Sequence, residues 1–197
     1  MPTDAFRKYG LSEHRHRFAA WAAGRAVARN FASASVVFRA FRAADVRGFV
    51  ERELPGITLQ ADFDGTHRRL CRGMLESFRE SGSEAKDPSY GFAAKALAVY
   101  LKASVGMCAG EMARGAAYMH PPVDRELLLG LRRYERKALG RKSGKCVFPL
   151  VTAVAKWTQF DEDGYYEVIR KIRGLIGEGV PLWRVEALWD LDGGASQ

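Results

Sequence analysis

The sequence has few cysteines, and they form no metal-binding or disulfide pattern. The 197 residues include three cysteines, Cys71, Cys108 and Cys146. This is an odd number, the three lie far apart, and the sequence has no C-x-x-C motif. A disulfide framework or a zinc site would need a different pattern. We therefore expect a reducing, cytoplasmic setting, with no metal and no cofactor.

Long apolar runs are also missing from the sequence. No stretch approaches the ~18 apolar residues of a membrane helix, and the first residues are charged, unlike the apolar core of a secretion signal. The motifs of nucleotide-binding P-loops, dinucleotide-binding folds, zinc proteases and serine nucleophile elbows do not occur. We expect a protein without a membrane span that belongs to none of these enzyme classes.

The composition is basic and rich enough in apolar residues for a core. Lys and Arg number 31 against 23 Asp and Glu, which gives a net charge of +8, and hydrophobic residues make up 47% of the chain. This length corresponds to one domain, or two small ones. The charge favours a polyanionic partner, nucleic acid first, although Arg-rich coding in a GC-rich genome explains the same excess.

Helical periodicity of apolar residues dominates the chain. The pattern predicts helices over residues 12–29, 33–52, 62–79, 92–104, 124–138, 149–156, 163–175 and 181–191. Ser12 and either Asp62 or Asp64 are the expected N-caps. The only strand candidate is 57–60, so we predict a compact, all-α fold.

Two short motifs carry the chemical information. Gly91 stands at the start of a predicted helix and Lys95 follows four residues later, and a proline-rich turn, His120-Pro121-Pro122, leads to Asp124 at the start of another helix. Each motif alone has an ordinary explanation, since lysines are common in first helical turns and Asp124 is a good N-cap. Together, and in this order, they suggest one site.

The arrangement resembles the helix-hairpin-helix superfamily of DNA glycosylases, most closely the 8-oxoguanine DNA glycosylase branch. In that family a Gly-x-Gly-x-Lys hairpin precedes a Gly/Pro-rich loop that ends in Asp. The resemblance covers residues 90–128, where Gly91 matches the first glycine, Lys95 the catalytic lysine and Asp124 the catalytic aspartate. Ala93 replaces the second glycine, and the spacer between Lys95 and Asp124 is longer than usual, as it is in archaeal members.

The resemblance implies both a fold and an activity. The fold would be a monomeric helical domain over residues 1–197, or two lobes, about 1–85 with the C-terminal part and 86–150, with the active site between them. The activity would be removal of a modified base from double-stranded DNA, with AP lyase activity as a second step. The base would be an oxidised purine in DNA repair or a hypermodified phage base in antiviral defence. Lys95 would attack C1′ of the sugar, and Asp124 would stabilise the charge that develops there.

A base that reacts in this way must leave the stack and enter a pocket. The residues expected to line that pocket are His120, Trp157, Phe160, Tyr165 and Tyr166. Those expected to contact the DNA backbone are Gly91 and Ala93, through hairpin N–H groups, and the basic loop residues Arg141, Lys142 and Lys145. The helical spacing of Trp157 and Phe160 predicts core packing equally well, and Trp183 and Trp189 are assigned to the core.

Two other functions fit the same sequence. The chain would be a non-catalytic helical DNA-binding module if Lys95 only contacts a phosphate, or a helical interaction protein with no role at nucleic acids. Only the glycosylase needs Lys95 and Asp124 to converge in one cleft.

Overall fold

The computed structural model describes residues 9–27, 31–107, 115–139 and 157–189. Within these ranges the regular structure is helical and there is no strand; an isolated bridge joins Ala32 to Ala85. The predicted all-α fold is confirmed.

The described chain contains helices of three kinds. The α-helices are α1 (Leu11–Val27), α2 (Ala34–Ala43), α3 (Val46–Gly48), α4 (Gln60–Glu80), α5 (Tyr90–Leu101), α6 (Arg125–Leu139) and α7 (Glu162–Ile176). π-Helical turns continue α3 over Phe49–Glu53 and α5 over Lys102–Gly106. Short 3-10 helices are found at Leu54–Gly56, Gly82–Glu84, Ala116–Tyr118, Trp157–Gln159 and Leu182–Leu188.

Several predicted boundaries are wrong for local reasons. The helix predicted over 33–52 is interrupted at Asp45, which adopts a left-handed conformation (φ 50°) and accepts a hydrogen bond from the Gly48 amide. Helix α4 begins at Gln60, so residues 57–60 form no strand. The predicted N-caps Ser12, Asp62 and Asp64 lie inside helices α1 and α4. The helix predicted over 149–156 lies outside the described residues.

Helices α1 and α5 pack against each other, and many of their buried residues are small. The buried small residues of these two helices are Ala19, Ala20, Ala23, Gly24, Ala93, Ala94, Ala96 and Ala98. Larger aromatic side chains fill the core beside them, and the Phe31 and Phe92 rings stack with centroids 4.0 Å apart. This packing fixes α5, the helix that carries Lys95, against α1.

Candidate active site

Lys95 and Asp124 meet at the edge of the core. Lys95 lies in the second turn of α5 and Asp124 directly precedes α6, and the Lys95 Nζ is 3.2 Å from the Asp124 Oδ2. Their side chains are 13% and 19% exposed, respectively. The pair is therefore shielded from bulk water but still open to a molecule that enters the adjoining cavity.

Asp124 has two structural roles because its two oxygens have different partners. Its Oδ1 accepts a hydrogen bond from the Leu127 amide at 3.0 Å, which is the N-cap contact of α6. Its Oδ2 faces Lys95. The N-cap fixes the carboxylate, so the oxygen that faces Lys95 is held in place before any ligand binds.

Lys95 is also held by an aromatic ring. Its Nζ lies 4.5 Å from the centroid of the Trp157 ring, which is within the range of a cation–π contact. Trp157 in turn packs edge-on against Phe92, with the ring centroids 5.2 Å apart. Among the predicted pocket residues, Trp157 is the one that the structure brings beside the lysine.

The ion pair opens into a cavity of about 450 Å³. The wall of this cavity includes Phe18 from helix α1 and Pro122 from the 120–124 turn. Trp189, which directly follows the last 3-10 helix, also lines the cavity. The walls are mainly apolar, with Lys95, Asp124, Lys102 and Glu186 as the charged side chains. This size and lining are typical of a small-ligand pocket with a few orienting polar groups.

A second cavity of about 560 Å³ adjoins the first. Lys102, Met107 and Glu186 line both cavities, and the Lys102 Nζ pairs with the Glu186 Oε2 between them. The second cavity also contacts His120 and Trp183. The Lys102–Glu186 pair therefore forms part of the partition between the two spaces.

The backbone N–H groups of Gly91 and Ala93, predicted to contact DNA, form hydrogen bonds inside the fold. Both residues are buried. The Gly91 amide donates to the Phe160 carbonyl at 3.0 Å, and the Ala93 amide donates to the Ser89 carbonyl. These two N–H groups are therefore engaged inside the fold and do not point to an open surface as donors for a phosphate.

Four of the residues predicted to line a base pocket, His120, Phe160, Tyr165 and Tyr166, lie in the interior of the fold. All four side chains are buried, and Phe160 belongs to the core. Both ring nitrogens of His120 have hydrogen-bond partners inside the fold, since Nδ1 lies 3.1 Å from the Tyr165 hydroxyl and Nε2 lies 3.0 Å from the Asp64 Oδ1. His120 therefore contributes only a surface to the second cavity.

These buried groups form a polar network around Asp64. Arg173 Nη2 lies 2.7 and 2.8 Å from its two carboxylate oxygens. Burial alone would raise the pKa of Asp64, but hydrogen bonds from His120 and Arg173 outweigh it and lower that pKa well below its usual range. With Asp64 ionised, a neutral His120 donates through Nε2 and accepts from Tyr165 through Nδ1.

Two histidines in this network are kept neutral by burial. Desolvation lowers the pKa of His120, against the opposing effect of Asp64, and it lowers the pKa of His67 further. His67 Nδ1 lies 3.0 Å from the Tyr166 hydroxyl, which donates to the Asp64 carbonyl oxygen. Burial likewise raises the pKa of the Cys71 thiol, so Cys71 is a core residue and not a nucleophile.

Other predicted residues are placed as follows. Arg141, Lys142 and Lys145 lie outside the described residues. Trp189, assigned to the core, is 40% exposed at the rim of the first cavity. In the part of the chain that is described, no group of three potential metal ligands is found, and no helix is long and apolar enough to cross a membrane.

Sequence reasoning missed the second charged pair of the cavity. Lys102 follows Lys95 by seven residues, which places both on one face of α5 and its π-helical continuation. The spacing of the two lysines was visible in the sequence. Glu186, the partner of Lys102, lies in a distant segment whose position only the fold reveals. Phe18, on the exposed side of α1, was missed for the same reason.

Comparisons with known proteins add no relative. No protein-family model matches the chain, and neither a curated protein nor a solved structure matches it. A primary amine beside a fixed carboxylate, at the wall of an apolar cavity, is suited to nucleophilic attack assisted by proton transfer.

Proposed function

We propose that this protein is a DNA N-glycosylase that removes a modified or damaged base. The observation that carries the proposal is the 3.2 Å approach of Lys95 to Asp124 at the wall of the 450 Å³ cavity. The glycosylase hypothesis required these two residues to converge, and the two non-catalytic hypotheses did not. Asp124 is also held by its N-cap bond, so the pair is preorganised.

The proposed reaction begins with the transfer of a proton from Lys95 to Asp124. The neutral amine then attacks C1′ of the flipped nucleotide, and the bond from Nζ to C1′ forms as the bond from C1′ to the base breaks. The base leaves with the electron pair of that bond and takes up the proton that Asp124 received from Lys95. Transfer of a proton from Nζ to O4′ opens the sugar ring and gives a Schiff base between Nζ and C1′, and removal of a C2′ proton then breaks the C3′–O bond and expels the 3′ phosphate as the lyase step.

The surface beside the cavity supports a DNA partner. The exposed side of α1 presents Arg15, Phe18, Trp21 and Arg25 at helical spacing, and Phe18 also lines the cavity. The Phe18 and Trp21 rings are about half exposed, with centroids 5.9 Å apart. Arginines can follow phosphates, and exposed aromatic rings can stack on bases that have lost their partners.

Two classes of base remain candidates under this proposal. The family resemblance favours an oxidised purine, which would make the protein a monomeric, cytoplasmic repair enzyme. The second cavity, of about 560 Å³ behind the Lys102–Glu186 pair, provides room for the substituent of a hypermodified phage base. In that case the protein would act in antiviral defence.

Borohydride trapping on defined duplexes tests the proposal. The duplexes contain 8-oxoguanine, uracil or glucosylated hydroxymethylcytosine, and a fourth carries an abasic site. Wild type, Lys95→Gln and Asp124→Asn are compared with Lys171→Gln, a control at an ion pair with Glu167 on α7. We expect a covalent adduct with wild type and Lys171→Gln, and loss of at least about 100-fold with Lys95→Gln.

The other outcomes separate the alternatives. Abasic sites that depend on Asp124 but form without trapping would indicate a monofunctional glycosylase and remove the nucleophilic role of Lys95. Salt-sensitive DNA binding without any loss of base, on these duplexes and on total phage DNA, would replace the glycosylase by a DNA-binding module. Absence of DNA binding would leave the interaction-protein hypothesis.

A further inference from the structure

The first cavity contains two lysine–carboxylate pairs and not one. Lys95 pairs with Asp124, and Lys102 pairs with Glu186. The Lys102 and Glu186 side chains are 40% and 17% exposed, and the Lys102 Nζ also lies 5.2 Å from the centroid of the Trp189 ring. Both side chains line both cavities, so they are accessible from the space that Lys95 faces.

The rise along the helix between the two lysines is comparable with the length of a nucleoside. Lys95 and Lys102 are seven residues apart along one helix, which corresponds to an axial rise of roughly 10 Å. A purine whose sugar carbon touches Lys95 and whose far edge receives a hydrogen bond of about 2.9 Å extends over a comparable length. A base that reacts at Lys95 would therefore direct its hydrogen-bonding edge toward Lys102 and Glu186.

We infer that Lys102 and Glu186 form the recognition pair for the base edge, an inference that rests on the proposed glycosylase function. An ammonium group has three donors and a carboxylate accepts about four hydrogen bonds, so their mutual contact leaves capacity on both. Lys102 donates to a carbonyl or ring nitrogen of the base, and Glu186 accepts from a neighbouring N–H group. The pair is specificity-determining and takes no part in bond cleavage.

The apolar surroundings make this recognition selective. The remaining walls offer Met107, Val99 and Trp189, which contact a base without reading its edge. A base that lacks the matching donor and acceptor would leave the partly buried Glu186 carboxylate and the Lys102 ammonium without replacement for the contacts that they lose on binding. Each good contact of this kind discriminates by about 10- to 100-fold.

The test separates reading of the base from chemistry at the sugar. One substrate is the duplex whose base wild type excises fastest among 8-oxoguanine, uracil and glucosylated hydroxymethylcytosine. The other is the same duplex with an abasic site at that position, where no base edge exists to be read. Glu186→Gln and Lys102→Met are compared with Glu167→Gln, a control at the exposed Arg170–Glu167 pair.

We expect kcat/KM for excision to fall about 10- to 100-fold in Glu186→Gln and Lys102→Met, with borohydride trapping on the abasic duplex within about twofold of wild type. Unchanged excision would overturn the inference. A parallel fall of excision and trapping would also overturn it, because it would show that the pair only holds the 182–188 helix against α5. A Lys102→Arg variant that restores part of the excision would support recognition, since it keeps the positive charge.

Failure of the inference is distinguishable from failure of the proposed function. If wild type neither excises a base nor traps on the abasic duplex, the glycosylase proposal fails and the inference falls with it. If wild type does both and the two variants match it, the glycosylase proposal stands and only the recognition role is lost.

Discussion

Asp124 is the residue at which the structural and the catalytic interpretations coincide. Its Oδ1 caps helix α6 and its Oδ2 faces Lys95. The sequence offered an N-cap and a catalytic carboxylate as alternatives, whereas in the structure one oxygen makes the cap and the other is left to face Lys95. Substitutions at this position can therefore separate the cap from the charge.

We predict that Asp124→Asn and Asp124→Ala differ in stability but not in activity. Asparagine retains an N-cap oxygen, so its free energy of unfolding should lie within about 0.5 kcal/mol of wild type, whereas alanine should cost about 1 kcal/mol. Both remove the negative charge and should abolish base excision. Urea unfolding and an excision assay measure the two effects.

The control for this comparison is Asp161, which caps α7 by accepting from the Gly164 amide at 2.8 Å and lies away from the cavities. Asp161→Ala should lose similar stability and keep its activity. Equal stability of the asparagine and alanine variants at position 124 would show that the cap contributes little, and an active Asp124→Asn would remove the carboxylate from the mechanism.

At the scale of elements, the 157–160 segment crosses the first turn of α5 at Gly91. A Cβ on Gly91 would lie 2.0 Å from the Trp157 carbonyl oxygen, and the Gly91 amide donates to the Phe160 carbonyl. Glycine is required here for close approach of two backbones. The same crossing places the Trp157 ring against Lys95.

We predict that Gly91→Ala destabilises the protein by about 1–3 kcal/mol, because the backbone of the crossing segment must move. It should also lower the yield of borohydride trapping, since Trp157 moves with that segment. Differential scanning calorimetry and the trapping assay check the two effects.

Gly65→Ala is the matched control, because Gly65 lies within α4 and its added Cβ meets nothing within 4 Å. That change should stabilise the protein by about 0.5–1 kcal/mol through helix propensity. A Gly91→Ala protein as stable as wild type would contradict the close approach.

Helix type and approximate position followed from apolar periodicity, but the details of the site did not. Periodicity located α4, α5, α6 and α7 to within a few residues, because their buried faces repeat at helical spacing. The interruption at Asp45 depends on a left-handed residue that periodicity does not report. The crossing at Gly91 brings together segments that are far apart in sequence, so periodicity does not reveal it. The sequence alone therefore suggested a DNA contact as the reason for a glycine at position 91.

The candidate site was predictable only in part. Lys95 and Asp124 were found from their motifs and their order. Aromatic rings suit both base stacking and cores, so Tyr165 and Tyr166 fit a base pocket from the sequence alone. Only the fold shows that they are buried and belong to the polar network of His120 and Asp64. Glu186 carried no sequence signal at all.

At the scale of the whole molecule, the buried network makes stability depend on pH. Burial lowers the folded-state pKa of both His67 and His120 below the ordinary value of about 6.5. Below that pH the unfolded chain binds protons that the folded chain does not, so acid favours unfolding. The lowered pKa of Asp64 has the same sign, but its effect begins only below about pH 4.

We predict that the free energy of unfolding falls between pH 7.5 and pH 5.5, because the unfolded chain takes up protons at these two histidines that their buried rings in the folded chain resist. Urea unfolding at the two pH values measures the loss. The loss should be smaller in His67→Gln and unchanged in His14→Gln, because His14 is exposed. Stability that is constant or higher at pH 5.5 would contradict neutral, buried histidines.

The identity of the nucleophile is the central claim, and peptide mapping of the trapped adduct tests it most directly. Wild-type protein is trapped with borohydride on the duplex that it processes, the DNA is digested, and the modified residue is located by mass spectrometry. We expect the sugar remnant on Lys95 alone. A remnant on Lys102, which faces the same cavity, or on the N-terminal amine would contradict it.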